Sequence, residues 1–360
     1  MRRSKPWWCL STVVAVELEC HKPLAGPVLG CNNAAMDFTR RTVLAAGASL
    51  GAAAALGSLS SARASALGQD PEAMNPEDKP TVLKESLFQI SLAQWSLHNT
   101  LWKKELDNRD FAKTAKAVYG IHAIEYVNSF FKDKVSDQAY LKDLRKRADE
   151  QGVKTLLIMI DGEGDLGHGP GEERGKAIDA HKRWIDAAKV LGCHSIRVNA
   201  HGHGSPEDSA KHVAECLRVL GEHGAPLGIH VIVENHGGLS SDGSWLAGVM
   251  KAANHPYVGT LPDFGNFRLS EGKDYDRYKG VEELMPFAKA VSAKSYDFNE
   301  QGNETTIDYR RMLAIVAASG YRGHIGIEYE GSRLSEKEGI LATKKLLEAV
   351  HIEMQAKAGK

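Results

Sequence analysis

Between residues 88 and 355 the hydrophobic period keeps switching, from short β-branched runs to stretches with apolar residues three and four apart. That alternation constrains the fold more than any other feature of the chain. Strand-like runs are expected at 88–96, 122–128, 153–161, 194–200, 230–234, 257–264, 290–298 and 324–331. Helical stretches separate them. The one at 171–191 puts Ala177, Ala180, Trp184, Ala187 and Leu191 on a single face, the 3.6-residue signature of a helix packed on one side. Ser205-Pro206-Glu207-Asp208 reads as an N-cap serine, a proline at the first helical position and acids in the first turn, and Gly221 and Gly224 mark that helix's end. Ser335 and Glu338 have capping-box spacing.

About eight strand–helix units follow one another, each short enough for a right-handed crossover. They predict an α/β protein whose single domain, residues 85–355, is a (β/α)8 TIM barrel. The main competitor is an open doubly wound sheet. It calls for Gly-x-Gly-x-x-Gly after the first strand, and none is there.

A barrel places its chemistry at the C-terminal ends of its strands. In His230-Val231-Ile232-Val233-Glu234 the period of two turns Val231 and Val233 outward and Ile232 and Glu234 inward. The third run ends at Asp161 and the sixth reaches Asp263 in Leu261-Pro262-Asp263-Phe264-Gly265-Asn266. The fourth carries Arg197 and Asn199 on one parity, the seventh Ser292 and Lys294, and the eighth Glu328 and then Glu330. Any one of these has an ordinary reading: a solvated carboxylate, an Asx-turn at Asp263, a salt bridge from Lys294. Together Glu234, Asp263 and Glu328 converge on one rim, where three carboxylates repel unless a cation neutralises them. An all-oxygen set suits Mn²⁺ or Mg²⁺, with Zn²⁺ or Co²⁺ as alternatives.

Ahead of the barrel, Arg40-Arg41 precedes an Ala/Gly-rich apolar run and then Ala64-Ser65-Ala66, a small-x-small cleavage pattern. This order is that of a twin-arginine export signal, expected over 36–66 with Met36 as the start. Residues 1–35 then read as upstream sequence and 67–84, with Pro71, Pro76 and Pro80, as a linker. The protein is therefore expected in the periplasm, or otherwise exported, with no stable membrane insertion after cleavage. Three of five cysteines lie upstream of the cleavage point. Cys193 and Cys216, in apolar contexts, are expected as buried thiols, a single bridge between them being the alternative. A net charge of −1 gives no reason to expect nucleic acid as a partner.

The stretches Val233-Glu234-Asn235-His236-Gly237-Gly238, Pro262-Asp263-Phe264-Gly265-Asn266 and 323–331 (GHIGIEYEG) resemble the xylose isomerase-like TIM barrels. That superfamily also contains endonuclease IV. The resemblance extends over about 88–351 and identifies a superfamily, not a substrate. It implies that Glu234, Asp263 and Glu328 are metal ligands and that the two glutamates double as acid and base. The chain departs from the family at the seventh strand, where Ser292 stands in place of a fourth His or Gln ligand. It also has Asn266 where the ketose epimerases often have a substrate-binding His, and Ser240 and Ser241 where those enzymes carry a further acid. His236, His201, a water or substrate oxygens could complete the metal shell, or Lys294 could supply the positive charge without a metal.

The expected activity is metal-dependent isomerisation or epimerisation of a carbohydrate by proton transfer next to a carbonyl, through an enediolate. Glu234, Glu328 and Lys294 are the expected catalytic groups, with Trp95, Arg197, Asn199, His236 and Asn266 binding substrate. A lyase acting on an oxidised (keto) glycoside and a non-catalytic carbohydrate-binding barrel are the alternatives. A homo-oligomer is an open expectation. A DNA-repair nuclease would need a richer His/Asp/Glu cluster and a basic surface, which the sequence lacks.

Overall fold

The computed structural model describes residues 86–358. The expected upstream segment, export signal and linker lie outside the described residues. Eight parallel strands form one sheet: β1 (Gln89–Ala93), β2 (Ala123–Val127), β3 (Lys154–Met159), β4 (Ser195–Asn199), β5 (His230–Glu234), β6 (Val258–Leu261), β7 (Val291–Ser295) and β8 (His324–Tyr329). Their hydrogen-bonded order is β6-β5-β4-β3-β2-β1-β8-β7. The ring closes between β6 and β7 through Lys289 N to Thr260 O (3.0 Å), Ser292 N to Pro262 O (2.9 Å) and Phe264 N to Ser292 O (3.1 Å). The fold is the expected (β/α)8 barrel.

The helices after the strands are α1 (Phe111–Tyr119), α2 (Gln138–Gln151), α3 (Glu172–Leu191), α4 (Pro206–Gly224), α5 (Gly243–Ala253), α6 (Arg277–Leu284), α7 (Tyr309–Ala318) and α8 (Glu336–Ala358). Their starts follow the capping chemistry. Ser205 Oγ accepts from Asp208 N at 3.0 Å, and Ser335 and Glu338 bond reciprocally at 3.0 and 3.2 Å. Such caps stabilise a helix by about 1 kcal/mol each. Gly221 does not end α4. It lies inside the helix, where a Cβ would come within 2.6 Å of His255 Nδ1, so close packing explains it.

Side-chain parity divides the core into two layers. Val231 and Val233, with Ile196, Val198, Val291, Ala293, Ile325 and Ile327, pack outward under the helices. Ala93, Val127, Leu157, Met159, Ile232, Leu261 and Ala290 form a small apolar plug inside the ring. The remaining inward positions are polar, and they carry the site. Cys193 and Cys216 are buried free thiols.

All the strands but β5 are shorter than their hydrophobic runs, and for two of them the cause is plain. Pro262 has no N–H to donate, so the β5–β6 ladder stops at Glu234↔Leu261. The first strand ends at Ala93 because the chain turns through a 3₁₀ segment, Gln94–Leu97, in which the buried Gln94 side chain accepts from Val127 N at 2.9 Å. Among the described residues no helix is long and apolar enough to cross a membrane.

Candidate active site

The outward pull of Val231 and Val233 aims Glu234 into the ring at the end of β5, and the same alternation aims Glu328 inward from β8. Asp263 comes from the turn after β6. All three are buried, and each offers a carboxylate oxygen within 4.8 Å of the others. Asp263 is held from both sides. Asn235 Oδ1 accepts from its backbone N–H at 2.8 Å and Asn235 Nδ2 donates to its carbonyl at 3.0 Å. Its own Oδ1 accepts from Gly265 N and Asn266 N, both at 2.8 Å. Asp263 is thus an Asx-turn residue and a member of the acid cluster at once, its Oδ2 free to face the others.

Ser292 stands between two of the acids, its hydroxyl 2.6 Å from Asp263 Oδ2 and 3.0 Å from Glu328 Oε2. Lys294, on the same inward parity, donates to Glu328 Oε1 at 2.8 Å and pairs with Glu330 Oε2 at 3.2 Å. Arg197 faces Glu234 Oε2 at 2.7 Å as an ion pair and gives its Nη1 to Asp161 Oδ1 at 2.8 Å.

Three of the expected substrate binders therefore have their donors engaged by carboxylates. Arg197 serves Glu234 and Asp161, Asn199 Nδ2 donates to Asp161 Oδ1 at 2.8 Å, and Asn266 Nδ2 donates to Glu234 Oε1 at 2.9 Å. They position acids. His236, exposed at the mouth, is the one with an open ring. Close neighbours desolvate it in part, and together with the Arg197 charge they hold its pKa below the usual histidine value. Trp95 borders the site by an indole hydrogen bond to Glu330, and its ring is stacked on His98 at 5.0 Å, which covers one face.

The interior holds four buried carboxylates, Glu125, Glu234, Asp263 and Glu328, against two buried cations, Arg197 and Lys294. Asp161 and Glu330 add negative charge at the edge. Burial pushes Glu234 and Asp263 up to about 7, Arg197 and Lys294 respectively working against the rise. Burial opposes the charge on Glu328 too, but Lys294 beside it outweighs that and holds its pKa below the ordinary value. Lys294 is itself desolvated, yet the surrounding acids raise its pKa well above normal.

Residues 111–350 match the family described as "Xylose isomerase-like TIM barrel". The chain belongs to this family. Among solved structures it is similar to an L-ribulose 3-epimerase (TM-score 0.59, 15% identity, 76% of this chain and 97% of that one). It is also similar to a xylose isomerase-like TIM barrel protein from Mycobacterium smegmatis in complex with magnesium (TM-score 0.58, 17% identity, 73% and 97%). At these identities the likeness is one of fold. A curated relative, the C-glycoside deglycosidase alpha subunit of Arthrobacter globiformis, is 38% identical over 66 residues, 18% of this chain and 19% of that protein. The chain thus matches about a fifth of that relative's length.

Within this family frame, the acid cluster suits a divalent cation on two counts. The interior carries two more carboxylates than cations, and Glu234 Oε2 is buried without a hydrogen bond. A buried carboxylate oxygen whose partner is the Arg197 ion pair alone, next to two further carboxylates, is what a hard cation would relieve. The donors are all oxygens, Glu234, Asp263 and Glu328, with Ser292 Oγ in reach of the last two, and this favours Mg²⁺ or Mn²⁺ over softer ions.

Glu125 is the interior acid that the motifs do not single out. It sits at an inward position of β2, its Oε1 accepting from Ser91 Oγ at 2.6 Å and its Oε2 buried without a partner. A lone acid inside the fully buried run Ala123–Val127 was the available signal. Burial raises its pKa from 4.5 to about 7. The folded protein thus holds this proton more tightly than the unfolded chain. Its stabilising effect is complete below about pH 4.5 and is lost as pH rises through about 7, at a cost of about 3 kcal/mol. Glu125→Gln mimics the protonated form, so it should gain about 3 kcal/mol on wild type between about pH 5 and pH 8. Urea unfolding at both pH values measures this; parallel wild-type and variant stabilities would show that Glu125 does not titrate there.

Proposed function

We propose that the protein is an isomerase or epimerase that moves a proton on the carbon next to a sugar carbonyl. The observation that carries the reading is the buried pair Glu234 and Glu328, both at one barrel mouth and held in opposite electrostatic states. Glu234, with a pKa near 7, is poised to take and return a proton at neutral pH. Glu328, kept ionised by Lys294, is the base that takes the proton from one face, and protonated Glu234 returns one at the other face or the neighbouring carbon. As the proton leaves, the C–H electron pair moves to the carbonyl oxygen to give an enediolate. The Lys294 ammonium lies next to Glu328 and stays protonated, so it can donate to that developing charge. Asn266 and Arg197 fix the Glu234 carboxylate, and Asn235 fixes Asp263. A divalent cation held by Glu234, Asp263 and Glu328 would supply electrophilic charge for the carbonyl and its neighbouring hydroxyl.

We also propose that the substrate is not phosphorylated. Sugar phosphates are chiefly cytoplasmic, and the Arg40-Arg41 segment reads as an export signal. One observation favours a second reading. The curated relative's name is that of a C-glycoside deglycosidase subunit, and the same enediolate could expel a leaving group from an oxidised glycoside. The experiment is a set of free sugars, sugar acids and keto-glycosides incubated in deuterium oxide with Mg²⁺ or Mn²⁺. Deuterium appearing next to the carbonyl, without loss of a substituent, is the expected result. Release of an aglycone would select the lyase, and turnover confined to sugar phosphates would overturn the substrate class.

A further inference from the structure

We propose that Asp165, His168 and His203 form a second cation site, of different chemistry, at the rim of the barrel mouth. The three residues come from two neighbouring loops, the one between β3 and α3 and the one between β4 and α4. Those loops are locked to each other by backbone. Gly167 N donates to His201 O at 2.9 Å, and Gly167 bridges Gly202 in parallel register. A Cβ on Gly167 would sit 2.3 Å from Gly202 Cα, so the contact exists because both positions are glycine. Immediately beyond this clasp the imidazoles of His168 and His203 stack at 4.1 Å and 16°. His203 Nε2 lies 2.9 Å from Asp165 Oδ2.

One ligand atom from each of the three residues falls within 4.8 Å of the other two. Two borderline imidazole donors with one hard carboxylate make a set that suits Zn²⁺, Co²⁺ or Ni²⁺ better than Mg²⁺. Bonds of about 2.0–2.2 Å in a tetrahedral shell put ligand atoms about 3.3 Å apart. The cluster must therefore contract by about 1.5 Å at most, within reach of side-chain torsions on exposed loops. Its partial exposure leaves a fourth position open to water or an incoming ligand.

The site adjoins the acid cluster without sharing a residue with it. His201, in the second of the two loops, feels the charges of Asp165, His236 and Asp161. An ion at the rim would staple together the two loops that follow Asp161 and Asn199, and so set how open the mouth is. The site does not depend on the reaction assigned to Glu234 and Glu328.

Zinc binding to the full chain tests the site, by equilibrium dialysis with metal analysis, together with hydrogen exchange of residues 162–171 and 201–205. Wild type is expected to bind one more zinc per chain than the His168→Ala/His203→Ala variant. Those two loops are expected to exchange more slowly when zinc is added to wild type and not when it is added to the variant. Asp165→Asn, a gentler change, should weaken that zinc by roughly tenfold or more, since even outer-shell substitutions cost about 10–100-fold. Glu234→Gln should keep it, and excess Mg²⁺ should not displace it. Equal zinc stoichiometry in wild type and the double variant, or no slowing of the two loops in wild type, would overturn the proposal.

Discussion

Glu328→Gln is expected to slow proton exchange next to the substrate carbonyl by about 10²–10⁴-fold, the usual contribution of a positioned acid–base group, and to leave the barrel folded. The amide keeps the shape of the carboxylate: its oxygen can still accept from Lys294, while its NH2 donates to Ser292 Oγ, whose own proton goes to Asp263 Oδ2. Charge also permits it. The interior has more carboxylates than cations, so removing one negative charge lessens an existing repulsion, and Lys294 retains Glu330 at 3.2 Å. The loss should fall on kcat with little change in KM, because the residue moves a proton and does not anchor the sugar. Deuterium-exchange kinetics on the substrate found in the screen measure it. Exchange within a few-fold of wild type would remove Glu328 from the chemistry.

Lys294→Met should act on the fold first. The ammonium is almost wholly buried among Glu328, Glu330, Asp263 and Glu234. Deleting it strands carboxylates that water cannot reach, and breaking a buried pair from one side costs about 3–5 kcal/mol. In a domain of this size that lowers Tm by roughly 10 °C. Unlike a packing defect, this loss has a specific remedy. With the internal cation gone, the acid cluster should bind Mg²⁺ or Mn²⁺ more tightly, and adding either should recover much of the lost Tm. Thermal unfolding of wild type and variant, each with and without the metal, separates the outcomes. A variant as stable as wild type, or one that metal does not rescue, would mean that Lys294 is not the counter-charge of the site.

The barrel and the direction of its site residues were legible because they rest on local pattern. Period-two alternation in His230–Glu234 and Ser195–Asn199 is enough to send Val231 and Ile196 outward and Glu234 and Arg197 inward. Ring closure and hydrogen-bond partners are not local. Nothing near Asn266 in sequence announces that its amide goes to Glu234, 32 residues earlier, or that Arg197 and Asn199 spend their donors on Asp161. Such polar side chains look free for substrate until the tertiary structure shows which acids they serve. The stacked His168 and His203 were hidden for the same reason, since only the glycine contact between two loops brings them together.

The few backbone bonds that join β6 to β7 give the cluster a mechanical meaning. Every other neighbouring pair in the ring is a ladder; here Asp263 and Ser292 face each other across isolated bridges. The ring therefore has a seam, and local opening costs least where fewest bonds must break. Asp263 belongs to one lip of that seam, and Ser292, Lys294 and Glu328 to the other. Whatever draws the two lips together, whether the serine hydroxyl or a cation, stitches the cylinder shut, so occupancy of the site and cohesion of the whole barrel rise and fall together.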